Sequence, residues 1–224
     1  MTHTYFVTGT DTEVGKTAVA CALLEAANQR GLQTAAVKPV AAGCDERGHN
    51  EDALQLQRSM SVEMAYEQIN PVALQAAIAP HIAAEREGRS LQVSRLAGLC
   101  RGVMMGASDF VLIEGAGGWR VPLGPRETLA DLARELRVGV ILVVGMRLGC
   151  INHALLTAEA IARDGLHLAG WVANQPGERM NCHEENLDTL SRLIPAPRLG
   201  EVPALTPFSA VKAADYMNIE SLLN

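Results

Sequence analysis

The sequence predicts an α/β fold: a doubly wound, mainly parallel sheet with helices on both faces. Short, continuous runs rich in Val, Leu and Ile recur along the chain, and such runs are typical of strands that are buried on both faces. Helical patterns lie between these runs, and strands that alternate with helices form a parallel sheet. A glycine-framed loop with a lysine joins the first run to the first helical pattern, as a phosphate-binding loop does in such a sheet.

The elements follow from these patterns in chain order. The apolar runs predict strands over residues 5–8, 34–39, 109–114, 139–145 and 166–173, with a weaker strand near 197–202. Helices are predicted over residues 17–29, 94–105, 128–136, 152–163 and 181–193, where Gly31, Gly165 and Pro195 stop the first, fourth and fifth. Residues 42–90 combine polar turns with short helical pieces, which indicates an excursion over the strand ends. No repeat or linker divides the chain, so we expect a single domain over residues 1–224.

Composition and charge narrow the class of protein. A net charge of −6 argues against a nucleic-acid partner, because contact with phosphate backbones calls for a clustered excess of Lys and Arg. No apolar run approaches the roughly 18 residues of a membrane span, and the first residues lack the pattern of a signal peptide. The five cysteines are scattered, without metal-site spacing, which fits reduced thiols. We expect a soluble, cytoplasmic protein with no membrane or nucleic-acid partner.

The run GTDTEVGKT from Gly9 to Thr17 is the most informative motif. The N–H groups of such a loop and the positive helix end hold a polyphosphate, Lys16 can reach its terminal groups, and the Thr17 hydroxyl can ligate Mg²⁺. Gly9 and Gly15 enclose five residues where the usual loop has four. The motif predicts a variant P-loop in a fold of the P-loop NTPase type, binding a nucleoside triphosphate with Mg²⁺. The alternative is a glycine-rich turn that binds nothing.

Charged residues follow the second and third predicted strands, and ligands of open α/β sheets bind beyond such strand ends. Lys38 would project over the phosphates, where a second cation can neutralise charge on a transferred phosphoryl group. Glu114 closes its strand before a glycine-rich stretch, a layout suited to holding Mg²⁺. Asp52 is the candidate third oxygen ligand. The alternatives are a surface carboxylate for Glu114 and a simple helix cap for Asp52.

The fourth predicted strand leads into a helix that we expect to open at Asn152. Gly149 stands beside this helix N-terminus, and such an end is ready to receive a carboxylate or a phosphate. Cys150 could be a nucleophile, but apart from His153 the sequence around it shows no His/Asn arrangement of the kind that activates a catalytic cysteine. A packed, inert thiol is therefore the favoured interpretation of Cys150.

Six blocks, in this order, resemble the dethiobiotin synthetase family. They are the loop at 9–17, KPVA from Lys38, NEDAL from Asn50, EGAGGW from Glu114, the segment 148–157 and GWVAN from Gly170. The match extends from the N-terminus to about Leu205, and the combination is specific although single blocks occur in related P-loop synthases. The resemblance implies an ATP-dependent ligase of biotin biosynthesis. It would convert 7,8-diaminononanoate and CO₂ into dethiobiotin, ADP and phosphate through a carbamate and a carbamic–phosphoric anhydride.

The resemblance also implies roles for single residues and an assembly. Lys16 and Lys38 would be catalytic, and Thr17, Asp52 and Glu114 would bind Mg²⁺. The remaining contacts to ATP would come from Glu13, Val14, Gly15, Ala18, Gly115, Ala116, Gly117, Asn174, Gln175, Pro203, Ala204 and Leu205. The substrate would meet Lys38, Ala42, Gly149, Cys150, Ile151 and Asn152. The family is homodimeric, with the substrate site at the interface and the helix end at 149–152 of the partner subunit receiving the substrate carboxylate.

Two departures and two alternatives complete the prediction. Ala42 stands where family members often have a serine, and Asn186 stands where a tyrosine reaches over from the partner subunit. The loss of a neutral hydrogen bond costs about 0.5–1.5 kcal/mol. We therefore expect these departures to affect substrate affinity or positioning and to leave the phosphoryl chemistry intact. A regulatory switch ATPase of the partitioning type has a similar loop, but it carries a signature lysine where this chain has Asp11. A carboxylate-amidating synthase normally needs an added glutamine-hydrolysing domain, for which we see no room.

Overall fold

A six-stranded parallel sheet forms the centre of the computed structural model, which describes residues 2–224. The strands in chain order are β1 (His3–Gly9), β2 (Thr34–Val37), β3 (Ala41–Ala42), β4 (Ala73–Leu74), β5 (Phe110–Glu114), β6 (Gly139–Gly145), β7 (Leu168–Asn174) and β8 (Arg198–Val202). The order across the main sheet is β2-β5-β1-β6-β7-β8, with every neighbouring pair parallel. Strands β3 and β4 form a separate parallel pair.

Helices cover both faces of the sheet. In chain order they are α1 (Lys16–Asn28), α2 (Glu51–Ser59), α3 (Tyr66–Ile69), α4 (Pro80–Arg86), α5 (Val93–Met104), α6 (Leu129–Leu136), α7 (Cys150–Arg163), α8 (His183–Leu193) and α9 (Ala210–Ala214), followed by a 3₁₀ turn at Glu220–Leu222. Helices α1, α2 and α9 contribute to the hydrophobic cluster on one face, and α5 to α8 to the cluster on the other. The predicted doubly wound α/β class is confirmed. Within residues 2–224, no helix is long and apolar enough to cross a membrane.

The continuous apolar strands account for the two hydrophobic clusters. Along β6, Val140, Leu142 and Val144 belong to one cluster, whereas Ile141 and Val143 belong to the other. Successive side chains of a strand point to opposite faces. Because both faces are covered by helices, both sets of side chains must be apolar.

The predicted boundaries of these elements lie within two residues of the observed ones, and one difference bears on function. The helix expected to open at Asn152 begins at Cys150, so Cys150 and Ile151 form its first turn. Gly149 is its N-cap with φ 95°, a left-handed conformation that glycine adopts at no steric cost. The excursion at 42–90 contains the predicted short helices, α2 to α4, and also the unpredicted strand β4, which pairs with β3 at the start of the excursion.

Candidate active site

The register of the sheet brings the ends of β1, β2 and β5 together. Val7 of β1 lies opposite Glu114 of β5, and Val37 of β2 lies opposite Ile113. Lys38, the residue after Val37, therefore comes to lie beside Glu114. The distance from Lys38 Nζ to Glu114 Oε1 is 2.6 Å.

Glu114 is the centre of a polar group that we call the strand-end cluster: Thr17, Lys38, Asp52 and Glu114. Thr17 Oγ1 donates a hydrogen bond of 2.8 Å to Glu114 Oε1, the same oxygen that accepts from Lys38. Lys38 Nζ also lies 3.0 Å from Asp52 Oδ2. Glu114 is completely buried, and its second oxygen, Oε2, has no hydrogen-bond partner. Burial of a carboxylate oxygen without a hydrogen-bond partner is unfavourable in free energy unless a donor or a cation can reach that oxygen.

One alternative considered from the sequence is wrong, and a second does not describe its residue fully. Glu114 has a relative exposure of 0%, so it is not a surface carboxylate. Asn50, whose side chain accepts a hydrogen bond from Ala53 N, caps α2. Asp52 lies in the first turn of that helix and forms an ion pair with Lys38, so its use is not capping alone.

The charges of the cluster determine its protonation. Burial lowers the pKa of Lys38, but the carboxylates of Glu114 and Asp52 outweigh burial and raise that pKa above its ordinary value. Burial raises the pKa of Asp52, but Lys38 outweighs it and the pKa lies below its ordinary value. For Lys16, burial dominates and the pKa is lowered. Lys38 and Asp52 are therefore held in their charged forms, and Lys16 is the lysine that loses its proton more easily.

The phosphate loop is held by the ends of β6 and β7. Gly15 is the N-cap of α1 with φ 84°, and a Cβ at this position would lie 2.1 Å from Asn174 Nδ2. Asn174 Nδ2 donates a hydrogen bond of 2.8 Å to Val14 O. Val14 is buried, and a Cβ on Gly145 would lie 2.9 Å from its Cγ1. Glycine at 15 and 145 thus permits a close approach that any side chain would prevent.

Arg147, which follows β6, forms an ion pair with Asp11 of the phosphate loop. Sequence reasoning used Asp11 only to argue against a switch ATPase and did not identify Arg147. The contact exists because β1 and β6 are neighbours, with Gly9 opposite Val143. Knowledge that β1 and β6 are neighbours would have been needed to predict this ion pair from the sequence. The backbone carbonyl of Asp11 also accepts a hydrogen bond of 3.2 Å from Lys16 Nζ.

Two clefts open beside the phosphate loop. The first has a volume of about 910 Å³ and is lined by half of the residues predicted to contact the nucleotide. These are Glu13, Gly15, Ala18, Asn174, Gln175, Pro203, Ala204 and Leu205. Gln175 donates from Nε2 to Glu178 O at 2.5 Å, whereas its Oε1 is buried without a partner. Gln175 therefore lines the cleft with an amide oxygen that has no partner but is itself buried.

The second cleft, of about 770 Å³, contains the catalytic candidates. It is lined by Lys16, Thr17, Lys38, Ala42, Asp52, Ala116 and Gly117, and it shares Glu13 and Gly15 with the first cleft. The loop is thus a wall common to both clefts. The second cleft combines two lysines, a hydroxyl and a carboxylate with the buried Glu114 next to them, a set suited to phosphoryl transfer.

Other predicted site residues do not line either cleft. Val14 is packed under the loop, and Gly115 donates a backbone hydrogen bond to Val7 O. Residues 149–152 are absent from the walls of both clefts of their own chain, as far as residues 2–224 show. Cys150 is buried, and burial raises the pKa of its thiol, which fits a packed, inert thiol. Asn186 is partly buried on α8, and its Nδ2 donates to Cys182 O.

Comparison with known proteins gives close relatives for nearly the whole chain. A family model described as an AAA domain matches residues 3–212. The ATP-dependent dethiobiotin synthetase BioD of Cellvibrio japonicus is 59% identical over 223 residues, which is 98% of this chain and 97% of the relative. The protein of the same name from Pseudomonas aeruginosa PAO1 is 54% identical, with 97% of each chain covered. BioD 1 of Escherichia coli O157:H7 is 51% identical over 99% of this chain and 100% of the relative.

Solved structures with the same fold are far more distant in sequence. The MinC:MinD cell division protein complex of Aquifex aeolicus gives a TM-score of 0.60 at 12% identity, covering 98% of this chain and 93% of that one. Cell division protein FtsY of Thermotoga maritima gives a TM-score of 0.56 at 12% identity, covering 100% and 69%. At such identities the likeness shows the fold alone.

Proposed function

The chain belongs to the ATP-dependent dethiobiotin synthetase family, and from this premise we propose that it carboxylates 7,8-diaminononanoate and closes the cyclic urea of dethiobiotin, converting ATP to ADP and phosphate. The observation that carries the proposal is the strand-end cluster at the wall of the second cleft, with the phosphate loop between it and the first cleft. We assign ATP to the first cleft and the diamine to the second.

ATP binds with its base in the first cleft and its phosphates along the loop from Glu13 to Ala18. The loop N–H groups and the positive end of α1 face the phosphates, and Lys16 adds a positive charge. Gln175 lines this cleft, and its unpartnered Oε1, once turned toward the cleft, would accept a hydrogen bond from the exocyclic amino group of adenine. Asn174 and the segment 203–205 form the walls around the base.

Thr17, Asp52 and Glu114 are the residues that would hold Mg²⁺. Hydroxyl and carboxylate oxygens are the hard ligands that this ion prefers. The buried Oε2 of Glu114 has no other partner, which supports the assignment. A bound ion would supply positive charge that neutralises the phosphates of the nucleotide.

Lys38 and Lys16 stabilise the charge that moves during the reaction. One amine of the substrate takes up CO₂ and loses a proton to give a carbamate, and a carbamate oxygen attacks the γ-phosphorus of ATP, so that the bond to the β-phosphate breaks and ADP leaves. The second amine then displaces phosphate from the resulting anhydride and closes the ring. A buried ammonium stabilises developing negative charge far more than a fully solvated one would. The buried Lys38, kept protonated by its carboxylates, meets this need.

We further propose that the functional unit is a cytoplasmic homodimer of a single-domain chain spanning residues 1–224. Leu148 is 94% exposed directly before α7, and Leu156 on that helix is 57% exposed, which suits a surface covered by a second copy. The α7 N-terminus at 149–152 would then receive the substrate carboxylate in the second cleft of the partner subunit. The free cysteines fit the cytoplasm. Sedimentation at several protein concentrations tests the dimer, and a monomer throughout would contradict it.

Mass spectrometry of the products tests the reaction directly. The protein is incubated with ATP, Mg²⁺, ¹³C-bicarbonate and the diamine, and labelled dethiobiotin is expected together with ADP. Phosphate release should require the diamine and bicarbonate together. Lys38→Met should reduce turnover by at least about 100-fold, whereas Lys212→Met, which removes an exposed lysine of α9, should leave it unchanged. ATP turnover without dependence on the diamine would overturn the proposal.

The switch ATPase alternative is not favoured. Asp11 occupies the position of the signature lysine of that class, and it pairs with Arg147 of its own chain. The relatives of 50–59% identity that cover nearly the full chain are dethiobiotin synthetases. ATP turnover that is stimulated by a protein partner and indifferent to the diamine would reverse this judgement.

A further inference from the structure

Lys38 occupies the space between two of the proposed metal ligands. Its Nζ lies 2.6 Å from Glu114 Oε1 and 3.0 Å from Asp52 Oδ2, and the lysine is itself buried. Within residues 2–224, no other lysine or arginine forms an ion pair with either carboxylate. Glu114 is completely buried, whereas the Asp52 side chain is about half exposed, so the Glu114 carboxylate in particular needs a compensating cation. In this structure the ammonium of Lys38 supplies that charge.

The hydrogen bonds of Glu114 leave one side of its carboxylate free. Thr17 Oγ1 and Lys38 Nζ both converge on Oε1, whereas Oε2 is buried without a partner. The free oxygen is the one to which a further cation can bind. On the second carboxylate of the site, Oδ2 of Asp52 faces the same ammonium.

The balance of charge opposes entry of a metal ion by itself. Lys16 and Lys38 balance Asp52 and Glu114, and Lys16 is close enough to feel the other three charges. A divalent cation alone would add two positive charges next to a buried ammonium. A cation that arrives with a triphosphate brings compensating negative charge, and the phosphates offer the ammonium a new partner.

We propose that Lys38 and Mg²⁺ compete for Asp52 and Glu114, so that the metal binds tightly only when nucleotide phosphates draw the ammonium away from the two carboxylates. Lys38 thus has two positions: between the carboxylates without nucleotide, and against the phosphoryl group with it. The side chain that stabilises the transferred group also controls the order in which ligands bind. This inference rests on the proposed function for the identity of the nucleotide.

Mn²⁺ binding without nucleotide tests the competition, with free Mn²⁺ measured by electron paramagnetic resonance. Lys38→Met should bind Mn²⁺ at least about tenfold more tightly than the wild-type protein, because one positive charge beside the ion is removed. Lys212→Met is the matched control and should bind as the wild type does. With a non-hydrolysable ATP analogue present, the three proteins should differ by less than about threefold. Equal Mn²⁺ affinity of Lys38→Met and wild type without nucleotide would overturn the inference.

A second measurement needs no variant and decides the matter even if Lys38→Met does not fold. The chain has only three lysines, Lys16, Lys38 and Lys212, so NMR of protein labelled with ¹³C and ¹⁵N lysine resolves each side chain. The Lys38 signal should stay in place with Mg²⁺ alone and move when the ATP analogue is added with Mg²⁺. A saturable shift with Mg²⁺ alone would contradict the inference. Neither experiment uses the diamine, so failure of diamine-dependent turnover would refute the proposed reaction separately.

Discussion

Replacement of Gly15 by alanine should destabilise the protein by more than the backbone conformation alone explains. Gly15 has φ 84°, and a left-handed backbone costs a residue with a Cβ about 1–2 kcal/mol. The new Cβ would also lie 2.1 Å from Asn174 Nδ2, so that this amide must give up its hydrogen bond to Val14 O. Loss of such a bond costs about 0.5–1.5 kcal/mol. The expected decrease in the free energy of unfolding is therefore about 1.5–3.5 kcal/mol.

Gly31 provides the matched control for this variant. Its φ is 78°, and nothing lies within 4 Å of an added Cβ, so Gly31→Ala should cost only the backbone term of about 1–2 kcal/mol. In an Asn174→Ala background, the cost of Gly15→Ala should fall to the same value, because the colliding amide is gone. Urea denaturation at fixed protein concentration measures all four variants. Equal losses for Gly15→Ala and Gly31→Ala in the wild-type background would refute the reasoning.

Three further predictions concern the charged residues of the site. Thr17→Val should lower ATP turnover by at least about 100-fold and the free energy of unfolding by only about 1 kcal/mol; normal turnover would exclude a role for the hydroxyl. Lys38 lowers the pKa of Asp52 in the folded protein. The ion pair therefore contributes to the free energy of unfolding at a pH above the ordinary pKa of Asp, and this contribution is lost as the pH falls through the pKa of Asp52 in the folded protein. Acid denaturation of Asp52→Asn should lack this loss, and an unchanged profile would contradict the ion pair. Arg147→Ala should cost less than about 1 kcal/mol in urea denaturation, since the pair is half exposed; a loss above about 2 kcal/mol would show that the contact is structural.

The features that could be predicted from the sequence are those with a local signature. A strand buried on both faces, such as β6, must be apolar throughout, and this pattern is visible in any short window. The site residues Lys38 and Glu114 could be found because ligands bind at strand ends. Their contact then required only that β2 and β5 be neighbours, as they are.

The features that could not be predicted depend on distant parts of the chain or on single backbone angles. The ion pair of Asp11 and Arg147 requires two strands to be adjacent, which no local pattern reveals. The start of α7 at Cys150 depends on the left-handed conformation of Gly149, and the periodicity of the following residues does not show it. The strands β3 and β4 have two residues each, too few to produce an alternation.

The pairing of Val37 with Ile113 determines which changes of chain length this protein can tolerate. Insertion or deletion of one residue within β2 would turn every following side chain of the strand to the opposite face. Lys38 would then point away from Glu114, although no residue of the site had been substituted. Changes of length in the turn before Thr34 leave the register intact, because that turn lies at the amino end of the strand. The length of β2 is therefore constrained as strictly as the identity of the lysine that follows it, whereas a change of length in the turn before it leaves Lys38 facing Glu114.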